Sequence, residues 1–161
     1  LRSLILAGDV PDDRTELLLF LADRSGHLAS VVLPALSEGR IVLCERYSDS
    51  TLAYQVWGRG LPEAFVATLI ASCGFVTPDL TVLLDVDAGT AERRLEGRGG
   101  SDRIESTGRA FMTRVAEGYR ELALRSPERI VAVDAAGTED EVGAWVESAV
   151  LEPLEGLLRA G

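Results

Sequence analysis

The chain has no lysine and no asparagine, and all 16 of its basic residues are arginines. A Schiff-base lysine is therefore excluded, and so is a phosphate-binding loop of the G-x-x-x-x-G-K-[ST] type within these 161 residues. The net charge of -10 argues against a general nucleic-acid binder, which needs a basic face for its phosphate contacts. We expect no nucleic-acid partner.

Cysteine and histidine are also scarce, with two Cys and one His. Cys44 and Cys73 lie in apolar surroundings, so we expect both to be reduced and buried, as in a cytoplasmic protein. The single His and the absence of a Cys/His cluster argue against a metal site of that type. Uninterrupted apolar runs fall short of the roughly 18 residues of a membrane span, and we expect no membrane partner.

Strand-like and helix-like segments alternate, which predicts an α/β fold with a parallel sheet and a single domain over residues 1–161. Strands are predicted at Ile41–Cys44, Thr81–Val86 and Ile130–Val133. Helices are predicted at 13–37, 62–74, 88–96, 107–126 and 138–159. We expect Asp12 or Asp13 and Thr138 to cap two of these helices, Gly39 to follow the first, and Pro34 to bend or tighten its last turn.

Polar residues follow the predicted strands, and ligands bind outside the carboxyl ends of strands in open parallel sheets. This rule indicates Glu45, Arg46, Asp85 and Asp87. The guanidinium of Arg46 can hold a phosphate through two parallel hydrogen bonds. Glu45 and Arg46 could equally form an ordinary surface pair at the end of a strand.

Two helical segments carry groups that suit a nucleobase. Phe20 and Arg24 are four residues apart, so a flat ring and a fork of donors share one helix face. Thr51 and Gln55 have the same spacing, with Tyr54 between them, and Gln55 offers both a donor and an acceptor to a pyrimidine edge. The plainer interpretation is a core ring, a solvated arginine and an N-capped helix with ordinary polar residues.

A glycine-containing segment after the second predicted strand carries several arginines. Arg94, Arg98 and Arg103 surround glycines at 97, 99 and 100. Glycines permit movement, and a mobile arginine can stabilise charge on a transferring phosphoryl group. A solvated surface loop is the alternative.

Together these segments resemble the thymidylate kinase family, the P-loop kinases that phosphorylate dTMP to dTDP. The resemblance covers essentially the whole chain, in order, through the stretches ELLLFLADRSGHLASVVLPAL at 16–36, IVLCERYSDSTLAYQVWGRGL at 41–61, PDLTVLLDVD at 78–87, DRIES at 102–106 and FMTRVAEGY at 111–119. It implies a three-layer P-loop kinase fold, ATP and Mg2+ as cofactors, and a cytoplasmic role in dTTP biosynthesis. It also implies a homodimer through helices such as 13–37 and 62–74.

The resemblance assigns roles residue by residue. Phe20 matches the ring that stacks on thymine, and Arg24 matches the residue that bonds the base carbonyl. Arg46 matches the arginine that contacts the acceptor phosphate, while Thr51, Tyr54 and Gln55 match the segment around thymine and deoxyribose. The lid over ATP corresponds to residues 97–105, with Arg98 first and Arg103 second as catalytic arginines, and with Arg94 beside them.

Two departures from the family pattern stand out. Glu45 replaces the usual Asp, which puts its contact with a magnesium-bound water in doubt, and the chain supplies no other metal ligand. The family's first strand, phosphate loop and second strand have no counterpart here. We expect about 45 further N-terminal residues in the native protein, because a strand that belongs between 41–44 and 81–86 is missing.

Two other functions stay open. Deoxynucleoside kinases often carry Glu-Arg at this position and would use Glu45 as a base on a 5'-hydroxyl group. A relative without the phosphate loop could instead bind only a nucleotide or a partner.

Overall fold

The computed structural model describes residues 10–87, 89–91, 93–94 and 108–160, except for the side chains of 157–160. These residues form two units. The first contains residues 10–76 and 108–118, and the second contains 77–87, 89–91, 93–94 and 119–160. All six residues predicted to bind dTMP belong to the first unit.

The first unit is helical. Its helices are α1 (Asp13–Ser37), α2 (Ser48–Leu52), which continues in π-helical turns over Ala53–Gly58, α3 (Glu63–Ser72) and the first part of α4 (Arg109–Arg125). Asp12 caps α1 by accepting a hydrogen bond from the backbone N–H of Thr15 at 2.8 Å, and Gly39 follows its end with φ 72°. The prediction of this helix, its cap and its terminal glycine is confirmed.

The core of this unit lies where α1, α2 and α3 meet. Leu17 and Val66 are fully buried and Leu21 is nearly so. Half-buried side chains surround these three: Leu52, Val56, Leu61, Leu69, Ile70, Cys73 and Phe75. Burial of this apolar surface is what holds α1 against the segment that follows residue 47.

The second unit contains two parallel strands, β1 (Thr81–Asp85) and β2 (Ile130–Asp134), followed by α5 (Glu139–Ala160). Their register pairs Thr81 with Ile130 and Asp85 with Asp134, so both carboxyl ends lie at one edge. Parallel strands joined through helical segments confirm the α/β class. Thr138 caps α5 in a reciprocal capping box with Glu141, as predicted.

The strand predicted at Ile41–Cys44 is wrong. These residues have no regular structure, and Leu43 is 99% exposed. A strand requires a hydrogen-bonding neighbour, and the sheet formed by the described residues contains only β1 and β2. Cys44, which we expected to be buried, is exposed for the same reason, whereas Cys73 is half-buried, and both thiols are free.

Of the two effects expected of Pro34, the tightening is wrong, whereas the bend stays a prediction. The chain widens into a π-helix over Leu28–Val32 just before it, instead of tightening. Proline cannot donate a backbone hydrogen bond to the turn before it, so the regular i to i-4 pattern is interrupted there.

By length and composition alone, α1 could cross a membrane. Core helices of soluble proteins pass the same test, and α1 carries Leu17 and Leu21 of the core on one face. The finding is weak evidence for a membrane span.

Two glycines inside helices predict opposite responses to alanine. A Cβ on Gly118 in α4 would lie 2.8 Å from the Trp57 ring, whereas a Cβ on Gly26 in α1 would meet nothing within 4 Å. We expect Gly118→Ala to lower the free energy of unfolding by about 1–3 kcal/mol through overpacking. Gly26→Ala should raise it by about 0.5–1 kcal/mol through helix propensity. Denaturant titration measures both, and a stabilising Gly118→Ala would contradict the close packing of α4 on Trp57.

Candidate functional site

One pocket in the first unit brings together residues from α1 and from the segment around α2. Its lining consists of Phe20, Arg24, Arg46, Ser50, Thr51, Tyr54 and Gln55. All six residues predicted to bind dTMP are among these, although Phe20 and Gln55 lie 35 residues apart in sequence. The helical spacing of each pair places its members on one face, and the core contact between the helices closes the pocket.

Arg24 connects the two walls of this pocket. Its Nη1 donates hydrogen bonds to the backbone carbonyl of Tyr47 at 2.5 Å and to Oγ1 of Thr51 at 2.6 Å. Its guanidinium also lies over the Tyr47 ring, 5.5 Å from the ring centre. The planar fork of arginine is thereby held in one orientation at the pocket wall.

Arg46 has an unusual backbone. Its φ of 58° is the one left-handed value among the described non-glycine residues. Such a conformation costs about 1–2 kcal/mol for an L-residue and is concentrated at functional sites. The Arg46 guanidinium lies 5.3 Å from the centre of the Tyr54 ring, within the range of a cation–π contact. The turn therefore aims a permanent cation toward the pocket.

Behind the pocket, three polar side chains form a buried network. Glu16 and Gln55 are 3% and 1% exposed, and Gln55 Nε2 donates to Glu16 Oε1 at 3.1 Å. Arg59 donates to both oxygens of Glu16, from Nε at 3.2 Å and from Nη2 at 3.0 Å. This bidentate contact offsets the cost of burying the carboxylate.

Tyr47 supports the pocket from the side of Arg24. Burial raises the pKa of its phenol, and the smaller Coulombic effect of Arg24 opposes this. The ring also packs at a tilt against Phe75, with 5.7 Å between ring centres. Tyr47 is therefore a neutral packing residue beside Arg24 at physiological pH.

Other predicted site residues lie elsewhere or have other contacts. Glu45 is exposed and does not line the pocket. Asp85 makes a bidentate ion pair with Arg120 at 2.8 Å for both bonds. Asp87 caps the helical residues after it, and hydrogen bonds from Thr90 lower its pKa.

Of the arginines predicted at or beside the lid, the described residues include Arg94. Arg94 donates hydrogen bonds to the backbone carbonyls of three residues that follow β2, which are Ala135 at 2.7 Å, Ala136 at 3.2 Å and Gly137 at 2.8 Å. In this conformation Arg94 holds a loop of the second unit. Arg98 and Arg103, like the whole of the segment 97–105, lie outside the described residues.

Sequence reasoning missed Ser50, Glu16 and Arg59. Glu16 lies four residues before Phe20, just as Phe20 lies four before Arg24, so helical spacing could have placed all three on one face. The pairing with Arg59 depends on tertiary structure and gave no local signal. Within the described residues, no cluster of three or more His, Cys, Asp or Glu side chains could hold a metal ion.

The chain resembles known proteins along most of its length. The family model described as thymidylate kinase matches residues 1–145. A thymidylate kinase of Solidesulfovibrio magneticus is 46% identical over 151 residues, which cover 84% of this chain and 68% of that protein. One from Trichlorobacter lovleyi is 44% identical over 146 residues, covering 86% and 69%. One from a Synechococcus species is 41% identical over 162 residues, covering 100% and 77%.

Two arginines at the site predict contrasting effects on stability. Replacing Arg46 by glycine should change the free energy of unfolding by less than about 1 kcal/mol, because relief of the left-handed backbone offsets the lost ring contact. Arg59→Gly should lower it by about 3–5 kcal/mol, since the buried Glu16 carboxylate loses its counter-charge. Thermal and urea unfolding measure both. Equal losses of unfolding free energy in the two variants would contradict the strained turn at Arg46.

Proposed function

Because this chain belongs to the thymidylate kinase family, we propose that it phosphorylates dTMP: the γ-phosphoryl group of ATP passes to the acceptor phosphate, giving dTDP and ADP. The observation that carries this proposal is the convergence of six family-matched residues on one pocket. In phosphoryl transfer the protein takes little part in the covalent chemistry, so catalysis depends mostly on positioning and charge stabilisation.

The base would be held by α1 and α2. In this proposal Phe20 stacks on the thymine ring, and Arg24 donates to a carbonyl of the base from the orientation fixed by Tyr47 and Thr51. Thr51, Tyr54 and Gln55 form the opposite wall around the base and the deoxyribose. A flat, largely apolar slot with a few directed polar groups is typical of nucleotide sites.

Arg46 would orient the acceptor phosphate. Its guanidinium carries a permanent charge and can make two parallel hydrogen bonds to phosphate oxygens. The left-handed turn and the Tyr54 ring support its side chain at the pocket. An acceptor phosphate held in this way would lose rotational freedom before the transfer, which lowers the barrier.

ATP would be covered by the segment 97–105, with Arg98 and then Arg103 as the arginines that neutralise the transferring phosphoryl group. Arg94 would act through the loop 135–137 that it holds. Magnesium usually reaches such sites on the phosphates of the nucleotide with few protein ligands. Glu45 would at most contact a metal-bound water.

A deoxynucleoside kinase is less well supported. That reaction would need Glu45 as a base facing the acceptor pocket, whereas Glu45 is exposed and absent from the pocket lining. The pocket instead presents Arg46, which suits an acceptor that already carries a phosphate. A relative that only binds nucleotide would keep this pocket without transferring phosphate.

We expect the native gene product to phosphorylate dTMP with MgATP and to leave thymidine essentially unreacted. Arg46→Gln should lower kcat/KM for dTMP by about 100-fold or more, since a charge-assisted pair to phosphate is lost. A coupled assay of ADP release measures this. Glu38→Gln, which alters an exposed acidic residue outside the pocket, is the matched control and should keep full activity.

Two outcomes would contradict this function. Faster turnover of thymidine than of dTMP would favour the deoxynucleoside kinase. Calorimetric binding of dTMP without any transfer from MgATP, in the native gene product, would favour a binding protein.

The proposed enzyme would be a cytoplasmic homodimer without membrane or nucleic-acid partners. Exposed apolar side chains on α1 and α3 support the dimer: Leu18, Val31, Leu33, Leu36 and Phe65. Leu33 and Leu36 are 43% and 41% exposed, and an interface that covered them would remove apolar surface from water.

Charge placed on this face should prevent association. We expect Leu33→Glu to convert the native dimer into a monomer, because a buried unpaired carboxylate is costly. Sedimentation velocity measures the change. Leu124→Glu, at a position of α4 that is 77% exposed, is the control and should leave the dimer intact. A native protein that sediments as a monomer would overturn the proposal.

A further inference from the structure

A continuous stack of guanidinium groups and aromatic rings connects the buried ion pair with Arg46. The Arg59 guanidinium, which pairs with Glu16, lies 4.9 Å from the centre of the Phe111 ring. The Phe111 and Tyr54 rings meet nearly edge to face, with 6.0 Å between their centres and 64° between their planes. Arg46 lies over the other ring of the pair, 5.3 Å from the centre of Tyr54. We call these four residues the cation–ring stack, and each of its spacings is within the range of a favourable contact.

The two ends of the cation–ring stack differ in how firmly they are held. Arg59 is 14% exposed and donates to both oxygens of the buried Glu16 carboxylate, and Phe111 is 4% exposed. A buried ring next to a tethered guanidinium has few rotamers open to it. Arg46 is exposed, and an exposed arginine has much rotamer freedom to lose. The Tyr54 ring therefore restricts Arg46 only as far as Phe111 holds Tyr54.

Phe111 reaches the stack because α4 packs closely on the π-helical turns. A Cβ on Gly58 would lie 2.7 Å from the Phe111 ring, so the missing side chain of Gly58 makes room for the ring. Arg114, three residues further along α4, donates from Nε to the Trp57 carbonyl at 3.2 Å and from Nη2 to the Gly58 carbonyl at 2.8 Å. Carbonyls at the end of a helical segment need such outside donors. Arg114 thus fastens α4 to the segment that carries Tyr54.

We propose that Phe111 is a positioning residue for the transfer: it holds the Tyr54 ring so that the ring orients the Arg46 guanidinium toward the acceptor phosphate. This inference rests on the proposed function of the pocket as the dTMP site. Phe111 is not among the residues that line the pocket, so it would act on the phosphate only through the other two. An arginine already held in one orientation loses less entropy when it makes two parallel hydrogen bonds to a phosphate.

The stack should affect the phosphate of the nucleotide more than its base. Phe20 and Arg24 belong to α1, and Arg24 is held by Tyr47 and Thr51, which are not members of the stack. Loss of the Phe111 ring should therefore weaken the contribution of the phosphate to binding and leave that of the nucleoside in place. Thymidine differs from dTMP only by the phosphate, so the ratio of their Kd values measures this contribution.

The test is Phe111→Leu in the native gene product, titrated calorimetrically with thymidine and with dTMP. We expect the ratio of Kd for thymidine over Kd for dTMP to fall about fivefold, because the ring contact that supports Tyr54 is lost. The Kd for thymidine should stay unchanged. A merely structural role would weaken both ligands alike and would leave the ratio in place. In the double variant with Arg46→Gln, the ratio should equal that of Arg46→Gln alone, since both residues act on one contact.

A second pair of variants covers the case in which Phe111→Leu folds poorly. Tyr54→Leu removes the next ring of the stack and should lower the same ratio, whereas Tyr54→Phe keeps the ring and should retain the ratio of the wild type. Phe65→Leu is the matched control. It also removes a ring beside an arginine, since Arg14 lies 5.6 Å from the Phe65 ring centre, but it does so on α3 and outside the pocket. Its ratio should equal that of the wild type.

The outcomes separate this inference from the function it rests on. A wild-type protein that prefers dTMP to thymidine, with a preference that Arg46→Gln abolishes but Phe111→Leu and Tyr54→Leu keep, would overturn the role of Phe111 alone. A wild-type protein that binds thymidine as tightly as dTMP would overturn the proposed role of Arg46 and this inference together. A selective fall of the ratio in Phe111→Leu and Tyr54→Leu, with none in Tyr54→Phe or Phe65→Leu, would support it.

Discussion

The ion pair between Glu16 and Arg59 is the contact on which the first unit most depends. It places a carboxylate of α1, 3% exposed, against a guanidinium at the end of the segment that carries the other pocket wall. A buried charge without its partner is far costlier than an apolar residue, so any packing of the two helices that separated this pair would be strongly disfavoured. Phe20, Arg24, Thr51 and Gln55 are thereby set around one space.

The two walls of the pocket are held by different kinds of contact. Apolar burial around Leu17 and Val66 supplies the general attraction between the helices. Directed hydrogen bonds then favour one arrangement of the two helices. Arg24 donates to Tyr47 and Thr51, and Gln55 donates to Glu16. The strained backbone of Arg46 is tolerated within this frame, as is common where a side chain must be aimed at a ligand. A thymidylate kinase needs this rigidity because positioning does most of its work.

Much of the fold was predictable because it depends on local chemistry. The helices Asp13–Ser37 and Glu63–Ser72 follow from apolar spacing, and the caps at Asp12 and Thr138 follow from side chains that satisfy the first backbone N–H groups. The strand predicted at 41–44 failed because strand formation depends on a neighbour that the segment itself does not contain. Cys44 is exposed for that reason. The roles of the lid residues Arg98 and Arg103 stay a prediction, as do the single domain and the further N-terminal residues.

The sequence by itself determined the α/β class, the helix faces and the chemical character of the site. Spacing of four residues places Phe20 with Arg24, and Thr51 with Gln55, whatever the rest of the chain does. The absence of lysine likewise restricted every permanently charged basic side chain to a planar guanidinium. Only the tertiary structure decided that these two faces meet, that Arg59 pairs with Glu16, and that Gln55 keeps one buried oxygen unpaired. Those features arise between residues about 40 positions apart. Contacts at that separation produce no local sequence pattern that would predict them.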